Sequence, residues 1–149
     1  MDGPGGTGKT YLYRALLAKV QSMDLIAVAT ATSGIAASIM PGGRTAHSRF
    51  KIPIKLEENS VCNFTKQSET ATLLCEASLI IWDEVAMTRR QSVETLDRSL
   101  QDITGSFEPF GGKVMVFGGN FTQVYRLFLG VLEHRSHTPH CYGRTYGTI

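Results

Sequence analysis

Gly3-Pro4-Gly5-Gly6-Thr7-Gly8-Lys9-Thr10 stands at the head of the chain, and the residues from Lys9 to about Ser22 carry Leu12, Leu16 and Val20 at helical spacing with Lys19 on the wet face. A glycine-rich run feeding a helix has a definite physical use. Glycines let the backbone wrap an anion with its N–H groups, and the helix amino end adds partial positive charge. The run fits G-x-x-x-x-G-K-[ST], the pattern of a loop that cradles the phosphates of a nucleotide. Within it Lys9 would reach the β- and γ-phosphates as a point charge, and the Thr10 hydroxyl would enter the coordination sphere of Mg²⁺. Such loops normally follow a buried β-strand. This one begins at once, so the sequence reads as a partial domain lacking its first strand. With the loop at residue 3, neither a signal nor a transit peptide is expected, and an intracellular compartment is the expectation.

Outward from the loop, Leu25 to Ala31 is a short, nearly continuous apolar run, as expected of a strand buried on both faces. Ser33 to Met40 reads as a short helix ended by Pro41-Gly42-Gly43, and Phe50 to Gln67 as a long irregular surface insertion. Leu79 to Trp82 is a second buried strand. Val93, Leu96, Leu100 and Ile103 mark an amphipathic helix behind it, stopped at Gly105. Lys113 to Phe117 gives a third strand between Gly111-Gly112 and Gly118-Gly119. Strand and helix alternate, which is the order of an α/β layer fold with a mainly parallel sheet. A domain over residues 1–132 and a divergent tail over 133–149 follow from the loss of apolar periodicity beyond Glu133.

Bulk properties narrow the class without choosing it. The chain has 149 residues, 42% of them hydrophobic and 19% charged, and contains no apolar run long enough to cross a bilayer. A net charge of +2 permits a local basic face but does not diagnose nucleic-acid binding. Cys62, Cys75 and Cys141 lie at unrelated spacings, which argues for reduced thiols rather than a disulfide framework or zinc site. His134, His137, His140 and Cys141 lack a second framing ligand pair.

Leu79-Ile80-Ile81-Trp82-Asp83-Glu84 sets two carboxylates at the carboxyl end of a buried strand, the edge where open α/β sheets gather ligands. Asp83 suits holding Mg²⁺, and Glu84 suits orienting and deprotonating the attacking water. Trp82 reads as core rather than as a stacking platform. Gly118-Gly119-Asn120-Phe121-Thr122-Gln123 leaves the third strand at the same edge. Gln123 can donate to a phosphate oxygen and accept from water, as a γ-phosphate sensor must.

Taken together, Asp2 to Thr10, Ala31-Thr32-Ser33-Gly34-Ile35-Ala36-Ala37, Gly43-Arg44-Thr45-Ala46-His47-Ser48 and Ile81-Trp82-Asp83-Glu84 closely resemble Pif1-like helicases, nearest to the plant-type, Helitron-related branch. The resemblance runs in motif order over about residues 2–124. It implies a RecA-like P-loop NTPase domain of three layers, the amino-terminal motor of a superfamily 1 ATP-dependent DNA helicase moving 5′ to 3′. Roles in DNA repair, recombination and telomere maintenance, in the nucleus or mitochondrion, are implied with it. By the same resemblance Thr32, Ser33 and Gly34 match one motif that touches single-stranded DNA, and Thr45, His47 and Ser48 match the next. Hydroxyls, a backbone glycine and an imidazole can hold phosphates without reading bases, which suits a motor that passes any sequence. Arg44, Arg49 and Lys51 could add a basic rim.

The family pattern near the sensor is Gly-Gly-Asp-Phe-Arg-Gln followed by Val-Leu-Pro-Val. Here Asn120, Thr122 and Val124-Tyr125-Arg126-Leu127 stand instead. The motif likeness is expected to end at about Leu127, so a second motor domain with its arginine fingers would have to come from another chain. Two other readings stay open: a non-catalytic remnant that binds nucleotide weakly or not at all, and a small-molecule kinase, which would need a lid and an acceptor pocket.

Overall fold

The computed structural model describes residues 8–119. The expected loop residues Gly3 to Thr7, the sensor Gln123 and the tail lie outside them. The elements run α1 (Lys9–Ser22), β1 (Ile26–Ala31), α2 (Gly34–Ser38), β2 (Arg44–Thr45), α3 (Ala46–Phe50), α4 (Glu69–Glu76), β3 (Ala77–Asp83), α5 (Arg90–Thr104) and β4 (Met115–Phe117), with short 3₁₀ turns at Val85–Met87 and Pro109–Gly112. The four strands form one sheet in the order β2-β1-β3-β4, every neighbouring pair parallel. Helices cover both faces, giving the expected α/β three-layer architecture.

Alternation along the strands sorts the core into two layers. Val28, Ile80 and Trp82 face one cluster, with Phe50 of α3, Leu74 of α4, and Val93, Leu96 and Leu100 of α5. Ala29, Ala31, Leu79 and Ile81 face the other, with Tyr13 and Leu17 of α1 and Ala36 and Ala37 of α2. Trp82 is fully buried, its ring tilted against Phe50 at 5.6 Å between centroids, so the sequence reading of it as core holds.

Three local readings change. Helix α1 spans the expected residues, but its buried stripe is Tyr13 and Leu17, flanked by Leu16 and Val20, while Leu12 is 40% exposed. The helix is rotated because its partner face is Ala-rich and admits a phenol close to the strands. The segment after Phe50 is not a surface insertion throughout. Ile52 and Cys62 are buried in the α5-side core, the Cys62 N–H donates to Ser99 Oγ at 2.8 Å, and Arg98 donates to the Ser60 carbonyl at 2.9 Å. Finally, α4 follows an uncalled-for start at Ser68, whose hydroxyl accepts from the Ala71 N–H at 3.2 Å as an N-cap. Gly105, at φ 66, ends α5 as the sequence implied.

Candidate nucleotide and DNA site

The carboxyl ends of β1, β2 and β3 form one edge, and most of the expected site residues that the structure describes gather along it. Gly8 adopts φ 77 immediately before α1, a left-handed conformation that glycine takes without strain. Lys9 and Thr10 form the first turn of α1, both partly buried. Asp83 is the last residue of β3. One turn along α1 from Thr10, and therefore on the same helix face, the Tyr13 hydroxyl donates to Asp83 Oδ1 at 3.0 Å. That bond brings the first turns of α1 against the strand end that carries the acid pair.

Tyr13 was not legible as a site residue, yet the site is built around it. Burial, reinforced by the Asp83 charge and hydrogen bond, pushes its phenol well above the ordinary tyrosine range, so it remains a proton donor to the carboxylate. Gly118, just past β4, completes the enclosure. Its N–H donates to the Trp82 carbonyl at 2.9 Å, and a Cβ there would lie 1.9 Å from the Tyr13 hydroxyl and 2.2 Å from Asp83 Oδ1. Only glycine fits between the phenol and the acid.

Glu84 follows with φ 54, unusual for a residue with a side chain. Its surroundings fix it. The Thr32 hydroxyl donates to the Glu84 carbonyl at 2.8 Å and accepts from Trp82 Nε1 at 3.1 Å, and the Val85 N–H donates to the Gly118 carbonyl at 3.0 Å. The Glu84 carboxylate turns toward α2. Its Oε2 accepts from the Ser33 hydroxyl at 2.6 Å and from the Ser33 N–H at 3.3 Å. Ser33 also caps α2 by accepting from the Ala36 N–H at 3.2 Å.

The remaining residues expected to touch DNA divide. Gly34 begins α2 and is exposed. Thr45 ends β2, registered against Ala31, and starts α3, whose first turn presents His47 and Ser48 to solvent. Thr32 and His47 share a groove of about 280 Å³ whose other wall includes Met87, Thr88 and Arg89. Ser48, Thr45 and Gly34 do not line it. Of the expected basic rim, Arg49 is tied back to the Gly42 carbonyl at 3.1 Å, and burial followed by the Arg44 charge lowers its pKa from the ordinary arginine value.

The donor set suits a small hard cation. A carboxylate at the strand end and a threonine hydroxyl on the neighbouring helix turn are oxygen ligands of the kind that hold Mg²⁺ beside nucleotide phosphates. Among the described residues no group of three or more His, Cys, Asp or Glu gathers as a metal site. Among them, too, no helix is long and apolar enough to cross a membrane.

A parallel sheet with a glycine-capped helix and an Asp-Glu pair at its carboxyl edge is the arrangement of a RecA-like α/β domain. The model of the PIF1-like helicase family matches residues 1–136, beyond the end near Leu127 expected from the motifs, and the chain belongs to that family. It is 34% identical over 124 residues to the ATP-dependent DNA helicase PIF3 of Trypanosoma brucei brucei, covering 83% of this chain and 14% of the relative. It is 31% identical over 130 residues to PIF4 of the same organism, covering 83% of this chain and 16% of the relative. The chain thus spans less than a fifth of these relatives' length. Among solved structures, Bacteroides Pif1 bound to single-stranded DNA superposes with a TM-score of 0.65 at 34% identity, over 80% of this chain and 27% of that one. The Bacteroides Pif1 complex with ADP-AlF3 and single-stranded DNA gives 0.66 at 34% identity, over 80% and 27%.

Proposed function

We propose that this chain is the nucleotide-binding part of an ATP-dependent DNA helicase motor, with ATP bound at the α1 amino end and single-stranded DNA along the β1–α2 and β2–α3 corners. One observation carries the reading: the two adjacent carboxylates are held from opposite sides, Asp83 by Tyr13 of the phosphate-side helix and Glu84 by Ser33 of the DNA-side motif. The family and the solved relatives with nucleotide analogue and DNA support it. Movement 5′ to 3′ and roles in repair, recombination and telomere maintenance in the nucleus or mitochondrion belong to the same proposal.

In this reading the loop Gly3 to Gly8 wraps the phosphates, Lys9 neutralises them, and Thr10 and Asp83 hold Mg²⁺, which supplies charge neutralisation when bound. The water oxygen bonds to the γ-phosphorus as the bond to the β–γ bridging oxygen breaks. ADP leaves with the electron pair, and the water proton passes to Glu84, giving ADP and inorganic phosphate. Gln123 orients the water, and a second motor domain supplies the arginines that stabilise the transition state.

The test is ATP hydrolysis by the purified chain with and without an oligo-dT strand, beside direct nucleotide binding. Lys9→Ala is expected to abolish binding, and Glu84→Gln to keep binding while lowering turnover at least a hundredfold, in the range of general-base losses. Full turnover by Glu84→Gln would remove Glu84 as the base. Nucleotide binding without turnover in the parent chain would leave a binding remnant.

A further inference from the structure

The contact between Ser33 and Glu84 has a chemical constraint in it. A serine hydroxyl carries one proton, and here that proton is given to Glu84 Oε2 at 2.6 Å, a short bond of the charge-assisted kind. One of the oxygen's two lone pairs accepts from the Ala36 N–H at 3.2 Å, which leaves the single proton as the contested group. A DNA phosphodiester offers oxygens that accept and no proton that donates. The Ser33 hydroxyl can therefore serve Glu84 or a phosphate, and not both at once.

The backbone around the pair is held in place, so a change at this contact falls to the side chain and not to the whole loop. Glu84 is pinned at φ 54 by the Thr32 hydroxyl on its carbonyl at 2.8 Å, and the Thr32 N–H donates to the Asp83 carbonyl at 3.0 Å. Non-glycine residues hold such a conformation where the surroundings over-determine it. With its main chain held, Glu84 can redirect its carboxylate only by rotation about its side-chain bonds. Within residues 8–119 the Glu84 carboxylate accepts from Ser33 twice, through its hydroxyl and its N–H.

We infer that Ser33 is a positioning residue that holds the Glu84 carboxylate aside in the DNA-free chain, and that a DNA phosphate taking the Ser33 hydroxyl releases Glu84 to the attacking water. The inference deepens the function proposed above and rests on its assignment of Glu84 as base and of the β1–α2 corner to DNA. It makes DNA stimulation of hydrolysis a competition for one proton donor. Two residues adjoining in space would then couple the two ligands, with no long-range movement of the sheet.

The experiment compares the full 149-residue chain with Ser33→Ala, Ser33→Thr and Ser33→Ala/Glu84→Gln in ATP hydrolysis, each with and without oligo-dT. Ser33→Ala is expected to raise the DNA-free rate about tenfold, equivalent to about 1.4 kcal/mol, and to bring the ratio of stimulated to unstimulated rate toward unity. Ser33→Thr, which keeps the hydroxyl, should retain the parent ratio, and the double variant should be inactive in both conditions. A DNA-free rate in Ser33→Ala at or below the parent's, with stimulation intact, overturns the inference and leaves Ser33 as a helix cap. Parent-like turnover in the Glu84→Gln background instead overturns the assignment of the base, and the inference with it.

A second readout does not depend on turnover. With ¹³C-carboxyl-labelled glutamate, the Glu84 resonance, assigned by its loss in Glu84→Gln, should move in Ser33→Ala without DNA, and saturating oligo-dT should move the parent's resonance in the same direction. An unmoved resonance in Ser33→Ala overturns the inference. An oligo-dT strand that does not bind at all overturns both the DNA assignment and the coupling built on it.

Discussion

The two faces of the sheet differ in how much of their core is large and aromatic. On the α3–α5 face, Phe50, Leu74, Trp82, Leu96 and Leu100 fill a deep layer with large side chains, all fully buried. On the α1–α2 face, Ala29, Ala31, Ala36 and Ala37 lie among Leu17, Met40, Leu79 and Ile81 in a shallower layer, and Tyr13 is the one aromatic residue of the cluster. Small side chains let α1 approach the strands closely, so a phenol on that helix reaches Asp83 at the strand end. The deep face holds the sheet together; the shallow face carries the contacts that shape the site. The first should fail when atoms are removed and the second when atoms are added.

Removal on the deep face gives the largest expected effect. Leu96 is fully buried among α5, β3 and the segment after Phe50, and truncation leaves a cavity that surrounding helices cannot easily collapse. Leu96→Ala should cost about 2–5 kcal/mol in urea unfolding. A loss well under 1 kcal/mol would break the comparison, showing that the deep layer repacks as freely as a surface.

Addition on the shallow face comes next. In Gly118→Ala the new methyl would sit 1.9 Å from the Tyr13 hydroxyl and 2.2 Å from Asp83 Oδ1, so either the phenol or the acid must move. A cost of about 1–3 kcal/mol is expected for such overpacking. Adding Tyr13→Phe removes the nearest atom and should recover part of that cost, a coupling that a double-mutant cycle reads directly. Tyr13→Phe alone should also raise the Mg²⁺ concentration needed for nucleotide binding, because Asp83 loses the donor that orients it. Additive stabilities with an unchanged Mg²⁺ requirement would confine Tyr13 to packing.

How much of this was legible depends on the length scale of each signal. Strands β1 and β3 announced themselves as apolar runs, and α5 through Val93, Leu96 and Leu100, because each pattern persists long enough to show its period. Helix α3 has five residues and α4 eight, too short for a period to emerge, although Ser68 and the acid Glu69 behind it were a readable start signal for α4. The phase of α1 was misread because Leu12 competes with Tyr13 for the same stripe, and only the Ala-rich partner face decides between them. The acid pair was legible from its place after β3. Its tethers to Tyr13 and Ser33 were not, since they join residues 70 and 51 positions apart.

The smallest effect tests whether the deep face is closed as well as large. Cys62 lies in it, with its N–H on Ser99 and its thiol 4.0 Å from the Thr95 carbonyl, and burial pushes the thiol up from 9.0 to about 11, outweighing the opposing effects of Ser99 and Arg98. A raised folded-state value means the protonated form is favoured by folding. The stability it contributes is full below pH 9 and is lost as pH rises from 9 toward 11, because the unfolded chain releases its proton first. The decline should be about 1–2 kcal/mol across that window and should be reduced in Cys62→Ala, with the phenol of Tyr13 contributing in the same direction only at the alkaline end. Thiol labelling gives an independent reading: at pH 8 the exposed Cys75 should be alkylated quickly and Cys62 at the rate of unfolding. Equal labelling of the two would show that solvent enters the deep layer, and the contrast between the faces would then be one of side-chain size and not of closure.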